Sequence, residues 1–178
     1  MVSAKPKLIF IGGAPGVGKS TLAQRLKRSF PGGITLESDE VWGLINNVDW
    51  HDKEQHLLAL RQTFLLAESF LNSGFQPIVV VDVFTNRTLE KMLELLKDHK
   101  ALEPYKIISL FLSDEKLKDR VLNRDGGFKD LESCYYCNRE IQNQRYDNQD
   151  LIDVGGLDKD ALANKAVAII ENMSIEEC

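Results

Sequence analysis

Short, uninterrupted runs of apolar residues alternate along the chain with longer stretches in which apolar residues return every three or four positions. The runs are typical of strands that are buried on both faces, and the longer spacing is typical of amphipathic helices. The predicted strands are residues 7–11, 33–37, 77–83, 106–112 and 151–154. The predicted helices are residues 19–30, 51–72, 86–97, 114–124, 131–146 and 158–172. This alternation predicts the α/β fold class, with a parallel sheet between two layers of helices.

One segment, residues 125–149, departs from this pattern, because it is polar, rich in Asn, Gln and Arg, and poor in candidate core residues. We interpret it as a helical lid over a ligand site, since segments with few core contacts often move. A surface helix without a role is the alternative interpretation. No repeat or linker interrupts the rest of the chain, so its length predicts a single domain over residues 1–178.

The most specific motif follows the first predicted strand and precedes the first predicted helix. It matches the P-loop or Walker A pattern, G-x-x-x-x-G-K-S/T, with the residues Gly13-Ala14-Pro15-Gly16-Val17-Gly18-Lys19-Ser20. In that context the backbone N–H groups of the loop point at a phosphate chain, at the positive end of a helix dipole. The motif therefore predicts that Lys19 reaches the β- and γ-phosphates of a nucleotide and that the Ser20 hydroxyl ligates Mg²⁺.

Two acidic residues stand at the carboxyl ends of predicted strands, where ligands bind in parallel α/β sheets. Asp39 follows the second strand, and it is either the N-cap of the next helix or the carboxylate that accepts a proton from an attacking hydroxyl. Asp82 follows four apolar residues, as in a Walker B strand, in which a carboxylate holds Mg²⁺ directly or through water. Alternatively, Asp82 caps the strand end or faces the substrate.

Several basic residues are candidates for binding the nucleotide or the transferring group. Arg120 and Arg124 are four residues apart and share one helix face with Lys116. They form either a solvent-exposed helix face without a ligand or a site in which Arg120 stacks on adenine and Arg124 reaches the phosphates. Arg139 and Arg145 lie in the polar segment. Either is a candidate arginine finger, and their spacing favours neither. We carry Arg124 and Arg139 forward as catalytic candidates.

Composition and charge argue against several classes of protein. A net charge of −5 and a pI near 5.3 argue against a nucleic-acid partner, which requires a basic face. No apolar run approaches the roughly 20 residues of a membrane span, and the first residues do not resemble a signal peptide, so we expect no membrane partner. The few, unevenly placed cysteines, Cys134, Cys137 and Cys178, predict a cytoplasmic protein. The lone C-x-x-C lacks the second ligand pair of a zinc site, so we interpret it as incidental.

With these motifs the chain resembles the small P-loop kinases, a group of P-loop NTPases that includes gluconate and shikimate kinases and chloramphenicol phosphotransferase. It resembles most the short bacterial ATP-binding proteins of AAA type. The similarity spans nearly the whole chain and rests on residues 13–21, 37–39, 79–82, 117–124 and 152–157. It implies a three-layer P-loop NTPase sandwich with a five-stranded parallel sheet in the order 2-3-1-4-5 and a lid after the fourth strand.

The resemblance also implies Mg-ATP as the phosphoryl donor and suggests roles for individual residues. Asp39 matches the acceptor-side carboxylate, Arg120 and Arg124 match lid arginines, and Asp153 with Gly155 matches the segment at the adenine edge. The implied nucleotide-binding residues are Gly13, Ala14, Pro15, Gly16, Val17, Gly18, Lys19, Ser20, Thr21, Arg120, Asp153 and Gly155.

The leading hypothesis is an ATP-dependent phosphotransferase that acts on a hydroxyl of a small molecule, such as a sugar acid, a nucleoside or an antibiotic. A nucleoside monophosphate kinase is an alternative, but it would need extra arginines for the acceptor phosphate, and Arg61 is the one arginine between Glu40 and Asn86, with Arg87 just beyond. An ATP-binding or ATPase module without an acceptor and a toxin kinase acting on a sugar nucleotide are further alternatives. We expect a monomer or a homodimer.

Overall fold

All five predicted strands are present in the computed structural model, which describes residues 6–171. They are β1 (Leu8–Gly13), β2 (Ile34–Glu37), β3 (Ile78–Val81), β4 (Tyr105–Phe111) and β5 (Gln149–Asp153). Every neighbouring pair is parallel, and the order across the sheet is β2-β3-β1-β4-β5. In the central strand, Leu8 is in register with Ile78 on one side and with Tyr105 on the other. The predicted α/β class and strand order are confirmed.

Helices alternate with the strands, and each predicted helix begins within two residues of its observed start. They are α1 (Lys19–Ser29), α2 (Ser38–Trp42), α3 (Lys53–Asn72), α4 (Asn86–Leu96), α5 (Asp114–Leu122), α6 (Leu131–Gln142) and α7 (Lys159–Glu171). A short 3₁₀ turn, Lys100–Leu102, precedes β4. The last predicted helix reached Asn172, which lies outside the described residues.

Two apolar clusters, one on each face of the sheet, explain why the strands have uninterrupted apolar sequences. Successive side chains of a strand point to opposite faces. In β1, Ile9 and Ile11 pack in a cluster with residues of α1, α5 and α7, whereas Leu8 and Phe10 pack in a cluster with residues of α3 and α4. All four side chains are fully buried. The strand that leads into the P-loop is therefore fixed from both sides.

The polar segment that we predicted as a lid divides into two parts. Helix α6 packs against the sheet, with Cys134 and Ile141 fully buried. The buried Asn138 donates from Nδ2 to the Leu112 carbonyl at 2.8 Å and accepts from the Leu112 N–H at 3.2 Å. Because this amide satisfies backbone groups just beyond β4, the buried face of α6 can include a polar residue. The loop at residues 123–130 borders the candidate site, and its closure as a lid stays a prediction.

Both cysteines within the described residues are free thiols. Burial, together with the neighbouring Cys134, raises the pKa of Cys137 to about 11. In residues 6–171 no group of three or more His, Cys, Asp or Glu side chains is arranged to hold a metal ion. Nor does any helix of that part of the chain have the length and apolar character needed to cross a membrane. Cys178 and the first five residues lie outside the described part.

Candidate active site

The P-loop, residues 13–20, connects β1 to α1. Gly16 and Gly18 have φ angles of 87° and 115°, which residues with a side chain rarely adopt. A Cβ on Gly16 would lie only 2.7 Å from Cγ2 of Val121, so α5 packs directly against the loop. Glycine is therefore required here for the backbone conformation and for close packing, as in loops that present their N–H groups to phosphate.

Lys19 and Ser20, the first residues of α1, both have partners within the protein. Lys19 Nζ donates to the carbonyl oxygens of Gly13 at 2.8 Å and Ala14 at 3.3 Å. Burial lowers the pKa of Lys19, although the charges of nearby carboxylates oppose this shift. The Ser20 hydroxyl donates to Oε2 of Glu37 at 2.8 Å, which ties the end of β2 to the P-loop.

Asp82, directly after β3, is buried and is held by three hydrogen bonds. Its Oδ2 accepts from the Ser38 hydroxyl at 2.5 Å and lies 3.1 Å from Nε2 of His56, while its Oδ1 accepts from the Val83 N–H at 2.5 Å. Burial alone would raise the pKa of Asp82, but these hydrogen bonds and the charge of His56 outweigh burial and lower that pKa. Both carboxylate oxygens are therefore engaged by the protein.

His56, in the first turn of α3, contacts both Asp82 and Trp42. Its ring stacks on Trp42 with centroids 4.6 Å apart and an interplanar angle of 19°. Trp42 also contacts Trp50, at a centroid distance of 5.1 Å. Burial would lower the pKa of His56, but the hydrogen bond to Asp82 and the charge of that carboxylate raise it overall. The position of the imidazole is thus set by a hydrogen bond at Nε2 and by stacking on one ring face.

Asp39, in α2, differs from Asp82 in its surroundings. The N-cap of α2 is Glu37, so Asp39 lies inside the first turn and is not the cap. Burial and the nearby charge of Asp82 raise the pKa of Asp39, and no hydrogen bond within residues 6–171 offsets this effect. The Asp39 and Asp82 carboxylates thus have pKa values that are shifted in opposite directions.

These groups face one cavity of about 380 Å³. Its lining combines P-loop residues with Thr21, Glu37, Asp39, Asp82, Arg124 and Phe128. Within the described part of the chain, Nε and Nη2 of Arg124 are buried and have no hydrogen-bond acceptor. An unsatisfied buried donor is destabilising, and more so when it carries charge. Arg124 lines the cavity beside the P-loop, so its guanidinium is a candidate group for binding an anion there.

The predicted adenine-side residues lie together beside the P-loop. Arg120 Nη1 donates to the Val17 carbonyl at 2.8 Å, and Lys116 Nζ donates to the Gly155 carbonyl at 2.7 Å. Oδ1 of Asp153 accepts from the Gly155 N–H at 2.8 Å, and a Cβ on Gly155 would lie 3.0 Å from that oxygen. The structure thus joins the loop after β5 to α5 and the P-loop, while contact with adenine stays a prediction.

Arg139 and Arg145 are not brought to this cavity. The Arg139 guanidinium pairs with Asp114 at the start of α5 and lies 5.9 Å from the ring centroid of Tyr135, and its side chain is 66% exposed. Arg145 Nη1 donates to the Gln142 carbonyl at 3.0 Å. In this conformation the charge of Arg139 is paired with Asp114, and Arg139 does not line the cavity beside the P-loop. Its predicted part in catalysis would require that pair to break.

Sequence reasoning assigned no role to Glu37 or His56. A signal for His56 was available, because the buried face of α3 includes Leu60, Thr63, Phe64 and Ala67, and His56 stands four residues before Leu60 on that face. The contact of Glu37 has no such signal, since its partner Ser20 is 17 positions away in the sequence.

The residues present fit a nucleotide polyphosphate and a magnesium ion. The glycine loop, Lys19 and Arg124 supply N–H donors and positive charge for phosphates. The Ser20 hydroxyl and the Glu37 carboxylate supply hard oxygen donors. Mg²⁺ usually binds through one or two protein oxygens, with phosphates and water completing its coordination.

The parallel sheet in this order, with a P-loop between its central strand and α1, defines the fold of a small P-loop kinase. More particularly, the chain belongs to the AAA domain family, whose sequence model matches residues 8–132. No curated protein sequence matches the chain.

Solved structures of kinases are similar to this chain over nearly its whole length. A sugar kinase from Janibacter sp. HTCC2649 is 16% identical with a TM-score of 0.71, covering 93% of this chain and 94% of its own. A gluconokinase from Sinorhizobium meliloti 1021 is 17% identical with a TM-score of 0.69, covering 93% and 92%. The APS kinase of Mycobacterium tuberculosis, in complex with AMPPNP and APS, is 16% identical with a TM-score of 0.64, covering 94% and 99%. At these identities the likeness shows a shared fold.

Proposed function

We propose that this protein is an ATP-dependent phosphotransferase that moves the γ-phosphate of Mg-ATP to a hydroxyl of a small molecule. One observation carries the proposal: a single cavity is lined both by the P-loop and by the carboxylates of Asp39 and Asp82. A phosphate-binding loop alone would suit any nucleotide-binding module, whereas a kinase also needs a group that receives the proton of the acceptor. Proteins described as a sugar kinase, a gluconokinase and an APS kinase share the fold, which supports the proposal.

On the donor side, two cations would neutralise the transferring group. Lys19 exchanges the carbonyl oxygens of the loop for oxygens of the β- and γ-phosphates. The Arg124 guanidinium, which belongs to a residue that lines the cavity and has two buried N–H donors without an acceptor, binds the γ-phosphate. Both positive charges stabilise the charge that develops in the transition state.

On the acceptor side, we assign the base to Asp39. Both oxygens of Asp82 already accept hydrogen bonds and its pKa is lowered, whereas the raised pKa of Asp39 makes it the better proton acceptor. The acceptor hydroxyl oxygen attacks the γ-phosphorus, and the hydroxyl proton passes to Asp39. The bond from that phosphorus to the β–γ bridging oxygen breaks, and ADP leaves with this oxygen. Asp82 and His56 act as positioning residues.

For magnesium, we propose that Ser20 is the direct protein ligand and that Glu37 is the carboxylate beside it. The metal, when bound, neutralises phosphate charge. Asp82, which the sequence suggested for this role, has both oxygens engaged by protein donors and fits direct ligation less well. The carboxylate that contacts Ser20 is therefore Glu37, at the end of β2, and not Asp82, after β3.

The test is ATP consumption measured with a panel of sugars, sugar acids, nucleosides and nucleoside monophosphates. We expect one class of compound to stimulate turnover strongly. Lys19→Ala should abolish this stimulation, since Lys19 binds the transferring phosphate. Asp39→Asn should lower kcat by about 100-fold while the KM for ATP changes little, because a general base contributes about 10²–10⁴-fold.

Lys27→Ala is the matched control, since Lys27 lies on the same helix but is exposed in its last turn. Circular dichroism spectra establish that each variant is folded. Wild-type stimulation in Lys19→Ala would overturn the assignment of the P-loop. Unchanged kcat in Asp39→Asn would overturn the assignment of the base while leaving the kinase activity itself intact.

A further inference from the structure

A second cavity of about 260 Å³ adjoins the site and is lined by residues of α3 and of α4 with its N-cap. His56 lines the second cavity and Asp82 lines the first, and Nε2 of His56 lies 3.1 Å from Oδ2 of Asp82. A molecule in the second cavity therefore lies beside His56, which we assign as a positioning residue.

Cationic side chains dominate the lining of this second cavity. Lys53, Arg87 and Lys91 all face it, and Glu54 is its one acidic lining residue. None of the three cations forms an ion pair with a carboxylate among residues 6–171, where five such pairs occur elsewhere. The three cations against one carboxylate give the lining of this cavity a net positive charge. It favours a ligand that carries negative charge.

Helix α4 adds to the positive potential of the cavity. Its N-cap, Thr85, lines the cavity and makes no side-chain capping hydrogen bond, and the first turn contains no acidic residue. Arg87 and Lys91, four residues apart, project from one face of this 11-residue helix. The free N–H groups of the first turn and two cations therefore act on the same space.

We infer that the second cavity binds an anionic group, a phosphate or a carboxylate, carried by the same acceptor molecule whose hydroxyl lies against Asp39. This inference rests on the proposed function, and it narrows the acceptor to anionic hydroxyl compounds. Lys53, Arg87 and Lys91 bind the anionic group by charge-assisted hydrogen bonds. Lys53 precedes β3 in the sequence, whereas Arg87 and Lys91 follow it.

The experiment compares acceptors in pairs that differ by one anionic group: glucose with glucose 6-phosphate, and glucose with gluconate. We expect the anionic member of at least one pair to have a kcat/KM about tenfold or more above that of its neutral partner, since charged hydrogen bonds are strong. The double variant Arg87→Gln/Lys91→Gln should raise the acceptor KM by about tenfold or more, with a smaller change in kcat and in the KM for ATP.

The matched control is Lys97→Gln/Lys100→Gln, which removes two positive charges just beyond the other end of α4, from residues that line neither cavity. It should leave both KM values within about twofold of wild type, because surface substitutions away from a site have small effects. Preference for glucose 6-phosphate identifies a phosphate as the bound group, and preference for gluconate identifies a carboxylate. Equal use of both members of every pair, with unchanged KM in the double variant, would overturn the inference while the kinase proposal stands.

If no acceptor stimulates turnover, calorimetry tests for an anion site in the second cavity without depending on kinase activity. Wild-type protein saturated with Mg-AMPPNP is titrated with inorganic phosphate and with acetate, so that the P-loop is already filled. Binding of either anion that is lost in Arg87→Gln/Lys91→Gln and kept in the control supports an anion site in the second cavity. Absence of binding, or binding equal in all three proteins, overturns it.

Discussion

The pair formed by His56 and Asp82 offers the sharpest test of how the site is built. The Asp82 side chain is 3% exposed and the His56 side chain is 23% exposed, so this is a largely buried pair. Removing one member of such a pair typically costs about 3–5 kcal/mol, because the remaining charge stays buried. In His56→Gln the Ser38 hydroxyl and the Val83 N–H still bind Asp82, so we expect a smaller cost, about 2–3 kcal/mol.

This cost should depend on pH with a defined sign. The pKa of His56 is raised above its ordinary value of 6.5 in the folded protein, so its charge stabilises the fold fully below that value. The contribution is lost as the pH rises through the folded pKa, because the imidazole becomes neutral. The pKa of Asp82 is lowered, and the contribution of its charge is lost only in acid, as the pH falls through a value below 3.8. His56→Gln should therefore be more destabilising at pH 6 than at pH 9.

Urea unfolding followed by circular dichroism measures the effect. With a slope of about 2–3 kcal/mol/M, a loss of about 2–3 kcal/mol lowers the midpoint by about 1 M at pH 6. His51→Gln is the matched control, because that histidine is exposed. Equal midpoint shifts for both histidine variants, or a His56→Gln shift that does not shrink at pH 9, would refute the buried pair.

Other predictions concern the arginines and the P-loop. Arg124→Gln should lower kcat by about 100-fold or more, as loss of a transition-state donor does, whereas Arg139→Gln should stay within about twofold, since its guanidinium pairs with Asp114. A larger loss of kcat in Arg139→Gln than in Arg124→Gln, measured in the coupled ATPase assay, would instead identify Arg139 as the arginine finger. Gly16→Ala should weaken nucleotide binding by about tenfold or more in calorimetry and lower Tm, because the residue has a positive φ and no room for a Cβ. Gly32→Ala, where the nearest atom to a Cβ is 3.9 Å away, is the control, and equal losses in both would contradict this reasoning.

Local patterns in the sequence were sufficient to predict much of the fold. The apolar runs predicted all five strands because a strand buried on both faces has no polar side to obscure its pattern. The P-loop motif placed Lys19 and Ser20 at the start of α1, since the motif encodes its own backbone conformation. The strand order came from resemblance to a family and not from periodicity, because spacing along a chain does not reveal which strands are neighbours.

Only the tertiary structure decided how the site is completed. It pairs Asp82 with His56, which lies 26 positions earlier, and it joins Lys53 of α3 to Arg87 and Lys91 of α4 around one cavity. It also packs one face of α6, within the predicted lid, against the sheet, where the buried amide of Asn138 bonds to the backbone of Leu112. The physical reason is the same throughout: motifs and periodicity record interactions within about one or two turns of chain, whereas charge pairing and burial depend on which elements the sheet brings together.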